Sequence, residues 1–131
     1  MVLLKNDNAT LPFSASKSTA VIGPLGDDQH DMLGPWWGQG RDEDAVSVFT
    51  GIKAQNPNTT FTAGCTRKNV DPPDARDDDA CSNADIAAVT AAANAADQVV
   101  LALGETREMS GEANSRSDIS LPGDEQRIID A

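Results

Sequence analysis

A cluster of charged side chains follows the apolar segment QVVLAL and a glycine. Its members are Glu105, Arg107, Glu108, Glu112 and Arg116. A carboxyl group held beside other carboxylates has a raised pKa, which is the tuning that a general acid needs near neutral pH. Gly111 gives the backbone the freedom to present Glu112 outward. Spacing alone favours a simpler interpretation, in which these charges pair with one another on a solvated loop.

A second segment, GPLGDDQHDMLGPWWGQG, carries Trp36 and Trp37 among glycines and prolines, without helical or strand periodicity. Tryptophan rings on such a loop can stack on sugar faces. More often, a tryptophan in a loop fills the core of its own domain. Composition therefore favours a core location for both rings and leaves sugar stacking as the alternative.

Other chemistries find little support in the sequence. GPLG lacks the spacing of a dinucleotide fingerprint and no P-loop lysine follows it, which disfavours a nucleotide-binding domain. Asp27, Asp28 and the DDD run at 77–79 lack the spacing of a calcium loop, so they are predicted to be solvated charge. His30 has no partner that the sequence places near it, so no nucleophilic relay is predicted. We predict no metal and no cofactor.

The charge balance restricts the partners. The chain has 131 residues, which suits one domain, with 21 acidic against 10 basic residues and a net charge of −11. Nucleic acid and anionic membranes would repel such a surface, so neither is a predicted partner. The N-terminal MVLLKNDNATLP has a four-residue apolar run, which is too short for the apolar region of a signal peptide.

Cys65 and Cys81 flank an aspartate-rich segment. With a single histidine, they are too few for a structural zinc site. A disulfide that closes this segment is favoured over two free thiols. Because disulfides persist in oxidising compartments, this pairing favours a secreted or periplasmic location over a cytoplasmic one.

The elements that position these loops alternate between strands and helices, which predicts an α/β fold with an open, mostly parallel sheet flanked by helices. Strands are predicted at residues 18–22, 59–64 and 98–104. The last is continuously apolar and is predicted to be the central strand, covered on both faces. Ligands of such sheets bind beyond the carboxyl ends of the strands, where the two unusual loops begin.

Three helices complete the predicted pattern. The first begins at residue 45 and stops before Pro57, with Ala45, Val48 and Ile52 on one face. The second is capped by Ser82 or Asn83, and its inward residues are predicted to be Ile86, Val89, Ala93 and Ala96. The third begins at Gly123 or Asp124 and runs to the last residue. With three strands and a helix cut in mid-pattern, the sheet is expected to be incomplete at its C-terminal end.

Six motifs carry a resemblance to a known family. VLLKNDNATLPF, VIGPLGDD, MLGPWWGQG, GCT, AADQVVLALGE and MSGEANSRSDISLPG occur in the same order as in glycoside hydrolase family 3, the β-glucosidase and β-xylosidase group. The chain resembles this family over essentially all of residues 1–131, and SGEANSR with the following LPG is highly specific. The part matched is the family's second domain, an α/β sandwich that packs beside a (β/α)8 barrel.

The resemblance implies part of a retaining β-glucosidase acting on terminal, non-reducing β-D-glucosyl residues, with an aspartate nucleophile on the barrel. It gives the acid/base role to Glu112. Glu108 and Glu105 are second choices, because the spacing after the strand varies among family members. Trp36 resembles the platform on which an acceptor sugar stacks, and Arg116 of the same SGEANSR motif is predicted to bind substrate.

On this interpretation the chain is a partial sandwich domain, without the barrel and the C-terminal remainder. Its predicted partners are a β-glucoside or oligosaccharide substrate and the barrel domain of the same enzyme. The 131-residue chain alone is expected to be inactive, and the choice between glucosidase and xylosidase stays open. The alternative is a noncatalytic carbohydrate-binding or interaction domain of the same fold, which would have no barrel beside it.

Overall fold

The computed structural model describes residues 1–67, 80–112 and 114–131. Its strands are β1 (Thr19–Ile22), β2 (Thr59–Thr62) and β3 (Gln98–Leu101). They form one parallel sheet in the order β2-β1-β3. Its α-helices are α1 (Val48–Gln55), α2 (Ile86–Asn94) and α3 (Glu125–Asp130). The predicted α/β class, with an open parallel sheet flanked by helices, is confirmed.

The central strand is β1, and all four of its residues are buried. The prediction that the strand beginning at Gln98 is central was wrong. Within the described residues β3 pairs with β1 alone, and Val99 and Leu101 stay 37% and 43% exposed. A continuous apolar run indicates that a strand is apolar on both faces, but it does not distinguish an edge strand from a central one.

Helices cover both faces of β1. On one face, Ala20 and Ile22 form the main core cluster with Cys81, Val89 of α2 and Ile128 of α3. Because side chains alternate along a strand, Val21 points to the other face. Val21 pairs in register with Phe61 of β2, whose ring lies 5.5 Å from that of Phe49 in α1. The helices therefore hold the sheet from both sides and leave its carboxyl edge to the loops.

The start of α1 differs from the prediction. Its N-cap is Ser47, whose side chain accepts a hydrogen bond from the Thr50 backbone N–H at 3.1 Å. Ala45 lies before this cap in extended conformation, so its predicted place on the helical face was wrong. A serine cap satisfies an otherwise unpaired N–H of the first turn, which fixes where the helix begins.

The N-cap of α2 is Asp85, which accepts from the Ala88 N–H at 3.0 Å, and the predicted caps Ser82 and Asn83 were wrong. The backbone of Ser82 is already paired with Thr66 in a short bridge. Of the residues predicted to point inward, Val89 is buried in the core cluster and Ala93 and Ala96 pack against it, whereas Ile86 is half-buried outside that cluster. For α3, Asp124 is the N-cap, one of its two predicted starts.

Cys65 and Cys81 are joined by a disulfide, with their Cα atoms 5.7 Å apart. Cys81 is buried in the core cluster, and its carbonyl accepts a hydrogen bond from Asp124 N at 2.8 Å. The bridge therefore links the segment after β2 to Cys81, whose backbone carbonyl in turn holds the N-cap of α3. The aspartate-rich segment that it closes, including the DDD run at 77–79, lies outside the described residues.

Candidate active site at the carboxyl edge of the sheet

The two loops singled out in the sequence leave the sheet at the same edge. The tryptophan loop, residues 23–47, follows β1, and the glutamate loop, residues 102–124, follows β3. Since β1 and β3 are parallel neighbours, their carboxyl ends lie side by side. The first turn of the tryptophan loop contacts the glutamate loop, where Leu25 N donates to Ala102 O at 3.3 Å. This edge is where open parallel sheets bind their ligands.

Both loops line one groove of about 260 Å³, which we call the edge groove. The tryptophan loop contributes Pro35, Trp36 and Trp37, and the glutamate loop contributes Arg107, Glu108, Ser110, Glu112 and Asn114. Two aromatic rings and two carboxylates therefore share an open surface. This combination suits a sugar, because rings cover its apolar faces while carboxylates reach its hydroxyl and glycosidic oxygens.

Gly111 brings the two loops into contact. Its φ of +105° lies in a region that L side chains rarely adopt. A Cβ built at this position would lie 2.8 Å from the Cβ of Pro35, closer than real Cβ atoms approach. Only glycine therefore allows this approach next to Glu112. The sequence-based expectation of backbone freedom at Gly111 agrees with this geometry.

Glu112 is exposed on the rim of the groove. Among the described residues, none donates a hydrogen bond to its carboxylate or forms an ion pair with it. The interpretation that all the loop charges pair with one another was therefore wrong for Glu112. The carboxylate is available to a group outside the described part of the chain.

The other two glutamates are paired. Glu108 lines the groove and accepts a hydrogen bond from Arg107 Nε at 3.0 Å. Glu105 accepts one from Arg116 Nη1 at 2.8 Å, and the same nitrogen donates to Ser120 O at 3.1 Å. Neither Glu105 nor Arg116 is among the residues that line the groove. The structure thus groups Glu112 and Glu108 with the tryptophans and separates Glu105 and Arg116 from them.

The tryptophans are not core residues. Trp36 is 72% exposed and Trp37 is 44% exposed, so the core location favoured by composition was wrong. The Trp37 ring is covered in part by the Arg107 guanidinium, whose carbon lies 4.8 Å from the ring centroid. Such a cation–π contact holds both side chains at the groove. Trp36 keeps its ring free to meet a ligand.

A set of buried charges is connected to the groove through the backbone of Arg107, and the sequence did not reveal it. Arg67, just after β2, donates from Nη1 to Asp28 at 2.6 Å and from Nη2 to Asp31 at 2.7 Å. The prediction of solvated charge was wrong for Asp28, which is largely buried. Burial raises the pKa of Asp28, but the Asp31 N–H and the Arg67 charge outweigh burial, and this pKa lies below its ordinary value. For Asp31 burial prevails, and its pKa lies above its ordinary value.

His30 has a partner that the sequence did not indicate. Its Nδ1 lies 2.9 Å from Asp42 Oδ2, and both side chains are exposed at the surface of the tryptophan loop. Among the described residues, the side-chain contacts of this pair extend to Arg107, 4.0 Å from Asp42, and to no hydroxyl or thiol group. We therefore assign no relay to His30.

No group of three or more His, Cys, Asp or Glu side chains that could hold a metal ion occurs in the described ranges. Within the same ranges, no helix has the length and apolar character needed to cross a bilayer. The side chains at the edge groove, aromatic rings beside carboxylates on a parallel α/β sheet, are typical of domains that bind or process carbohydrates.

Comparison with known proteins agrees with that class. The family model described as the glycosyl hydrolase family 3 C-terminal domain matches residues 1–131, and the chain belongs to this family. It is 34% identical, over all of its length and 19% of the relative's, to a periplasmic beta-glucosidase of Salmonella typhimurium. It is also 34% identical to beta-D-xylosidase 3 of Arabidopsis thaliana, over 98% of the chain and 15% of that relative.

A solved structure of the beta-glucosidase from Listeria innocua in complex with glucose has the same fold. It superposes on 97% of the chain with a TM-score of 0.76 and 32% sequence identity, and the match covers 16% of that structure's chain. The relatives are glycoside hydrolases, and the chain spans under a fifth of the length of each. The activity of a whole enzyme that carries this domain is therefore a matter of proposal.

Proposed function

We propose that this domain supplies Glu112 as the general acid/base of a retaining β-glucosidase that releases terminal, non-reducing β-D-glucosyl residues. The observation that carries the proposal is the exposed carboxylate of Glu112, which has no partner among the described residues and lies on a groove that also contains Trp36. The nucleophilic carboxylate would come from the barrel domain of the same enzyme. A retaining enzyme needs its two carboxyl groups about 5–5.5 Å apart, and an exposed carboxylate on a loop suits a partner from another domain.

The proposed reaction has two steps. The protonated Glu112 carboxyl first gives its proton to the glycosidic oxygen as the barrel carboxylate attacks the anomeric carbon, and the aglycone leaves. The Glu112 carboxylate then takes a proton from water, which attacks the glycosyl-enzyme and releases the sugar with retained configuration. In the first step Glu112 must reach the glycosidic oxygen. In the second step it must reach the water oxygen that takes the place of the aglycone.

We assign the acceptor-side contact to Trp36. Its exposed ring offers an apolar face on which the departing sugar can stack, beside the carboxylate that protonates its oxygen. Arg116 lies outside the edge groove in its pair with Glu105, so its contact with substrate stays a prediction. The choice of a glucosyl rather than a xylosyl substrate is part of the proposal, because relatives of both kinds match this chain.

The test is a Glu112→Ala variant of an enzyme in which this domain is joined to its barrel. Loss of the proton donor should lower kcat/KM for a β-linked disaccharide by roughly 10²–10⁴-fold. An activated aryl β-glucoside needs little acid assistance, so its glycosyl-enzyme should still form and accumulate. Azide should then restore turnover and give a β-glucosyl azide, because azide attacks the intermediate without a general base.

Glu108→Ala and Glu105→Ala are the matched controls, since each removes a carboxylate from the same loop. Both should lose less activity and show no rescue by azide. Equal slowing of both substrates by Glu112→Ala, without azide rescue, would transfer the assignment to Glu108. If no glutamate of the loop affects turnover while Trp36→Ala weakens sugar binding, the domain is a noncatalytic carbohydrate-binding module. The purified 131-residue chain should show no turnover of its own.

A further inference from the structure

The carboxylate of Asp31 connects loops that follow all three strands. One oxygen, Oδ2, pairs with Arg67 Nη2 at 2.7 Å, and Arg67 follows β2. The other oxygen, Oδ1, accepts a hydrogen bond from the backbone N–H of Arg107 at 2.7 Å, and Arg107 lies in the loop after β3. Asp31 itself belongs to the tryptophan loop after β1. One carboxylate therefore ties the two sides of the edge groove together.

The side chains of this tie are removed from solvent. Asp31 is 8% exposed and Arg67 is 9% exposed. A buried ion pair adds little net stability compared with apolar side chains of similar volume, because both charges lose their hydration. Its geometry is nevertheless well defined, since a carboxylate and a guanidinium bond in fixed directions. The Asp31–Arg67 ion pair is therefore suited to holding a loop in one place.

The contact with Asp31 fixes the start of the loop segment that bears Glu112. The Arg107 backbone is held by Asp31, while the Arg107 side chain contacts Glu108 and covers the Trp37 ring. Four residues further on, Gly111 lies against Pro35 of the opposite loop. Between these two attachments the chain has few ways to move, and Glu112 follows the second attachment directly.

We propose that Asp31, held by Arg67, is a positioning residue that places the glutamate loop so that Glu112 reaches the glycosidic oxygen. Asp31 is 8% exposed and is not among the residues that line the edge groove, so we assign it no direct contact with substrate. The proposal rests on the proposed function of Glu112. A displacement of a catalytic group by about 1 Å can cost about 10²-fold in rate, so loss of the tie should be visible in the chemical step.

The test uses Asp31→Asn in the enzyme that contains the barrel. The asparagine oxygen can still accept from Arg107 N, but its amide cannot form an ion pair with Arg67. We expect kcat for a disaccharide to fall roughly tenfold or more, up to about 10²-fold, with a smaller fall for an activated aryl glucoside and little change in KM. Arg67→Lys, which keeps the charge, should recover part of the loss seen in Arg67→Gln.

Asp44→Asn is the control, because Asp44 forms an exposed ion pair with Arg41 at 2.7 Å and has no contact with the groove. Its activity should equal that of the unsubstituted enzyme. A second measurement, amide hydrogen exchange, reports on the tie without catalysis. Exchange at the Arg107 amide should become at least about tenfold faster in Asp31→Ala than in the unsubstituted protein, whereas exchange at Val21 of the central strand should not change.

The proposal is overturned if Asp31→Asn slows both substrates in equal proportion, or if exchange at Val21 rises as much as exchange at Arg107. Either result would make Asp31 a purely structural residue. Failure of the proposed function has a different signature, because Glu112→Ala would then show no dependence on the leaving group and no rescue by azide. Faster exchange confined to the Arg107 amide would in that case still support the tie itself.

Discussion

Glu125 of α3 accepts a hydrogen bond from Gly104 N at 2.9 Å through Oε2, although the residue is only 2% exposed. Gly104 lies three residues after the end of β3, near the start of the glutamate loop, so a buried carboxyl group holds this part of the loop. Burial raises the pKa of Glu125 to about 7, against an opposing effect from the Gly104 N–H and the Arg67 and Arg116 charges. The group therefore titrates near neutral pH.

This pKa predicts a pH dependence of stability that Glu125→Gln should remove. A carboxyl whose pKa is raised on folding, here from 4.5 to about 7, binds more protons in the folded state, so the free energy of unfolding falls as pH rises through that window. At 1.36 kcal/mol per pH unit, the full effect is about 3 kcal/mol. The loss is complete about one pH unit above the folded-state pKa and constant beyond it.

Urea unfolding of both proteins between pH 4 and pH 8 measures the effect. The glutamine keeps an oxygen that can accept from Gly104 N, and it does not titrate. Relative to the unsubstituted protein, Glu125→Gln should gain stability as pH rises from 4.5 to 7. A difference that stays constant across this range would show that Glu125 titrates normally.

The disulfide predicts a loss of stability when both cysteines are replaced. Closing a loop of this length stabilises a folded protein by about 3 kcal/mol in the chain-entropy model. Because the bridge also links the segment after β2 to Cys81, whose backbone carbonyl holds the N-cap of α3, Cys65→Ser with Cys81→Ser should lower the free energy of unfolding by roughly that amount. A thiol assay on the unfolded, unreduced protein should find no reactive sulfur, and two free thiols per chain would reject the pairing.

Trp36→Ala should affect recognition without affecting stability. The ring is 72% exposed, so its removal exposes little new apolar surface and the Tm should change by no more than a degree or two. In the enzyme with its barrel, KM for a disaccharide should rise roughly 2- to 10-fold, which corresponds to the loss of one aromatic stacking contact. Kinetics on a disaccharide series measure this.

Ile119→Ala is the matched control, since Ile119 is a large, fully exposed apolar residue outside the groove. Its KM should match that of the unsubstituted enzyme. If Trp36→Ala leaves KM unchanged while Trp37→Ala raises it, the platform is Trp37, and the ring covered by Arg107 is the one that meets sugar.

Much of the fold followed from sequence patterns. Short β-branched runs and an alanine-rich helix predicted the α/β class, because each pattern reports which faces of an element are apolar. The order of strands did not follow, and β3 is an edge strand in the described sheet although its sequence resembles a central one. Pairing depends on which elements pack together, and no local pattern records that.

The candidate site was predictable in part for the same reason. Glu112 and Trp36 were found through motifs, and the structure places them on one groove. Asp31, Arg67 and Glu125 were missed, because each is a single charged residue whose importance comes from burial and from a partner far along the chain. One available signal was the position of Arg67 shortly after a strand, where a charged residue reaches the edge that binds ligands.

The contact of Gly111 with Pro35 has a consequence for how such domains diverge. The proposed sugar platform and the proposed proton donor lie on separate segments of the chain, yet at this point the two backbones leave no room for a methyl group. A change of acceptor preference made by remodelling residues 34–37 alone would therefore be expected to shift the Glu112 carboxylate as well. Exchange of aglycone preference between relatives should succeed only when both segments are transplanted together, as one inherited unit.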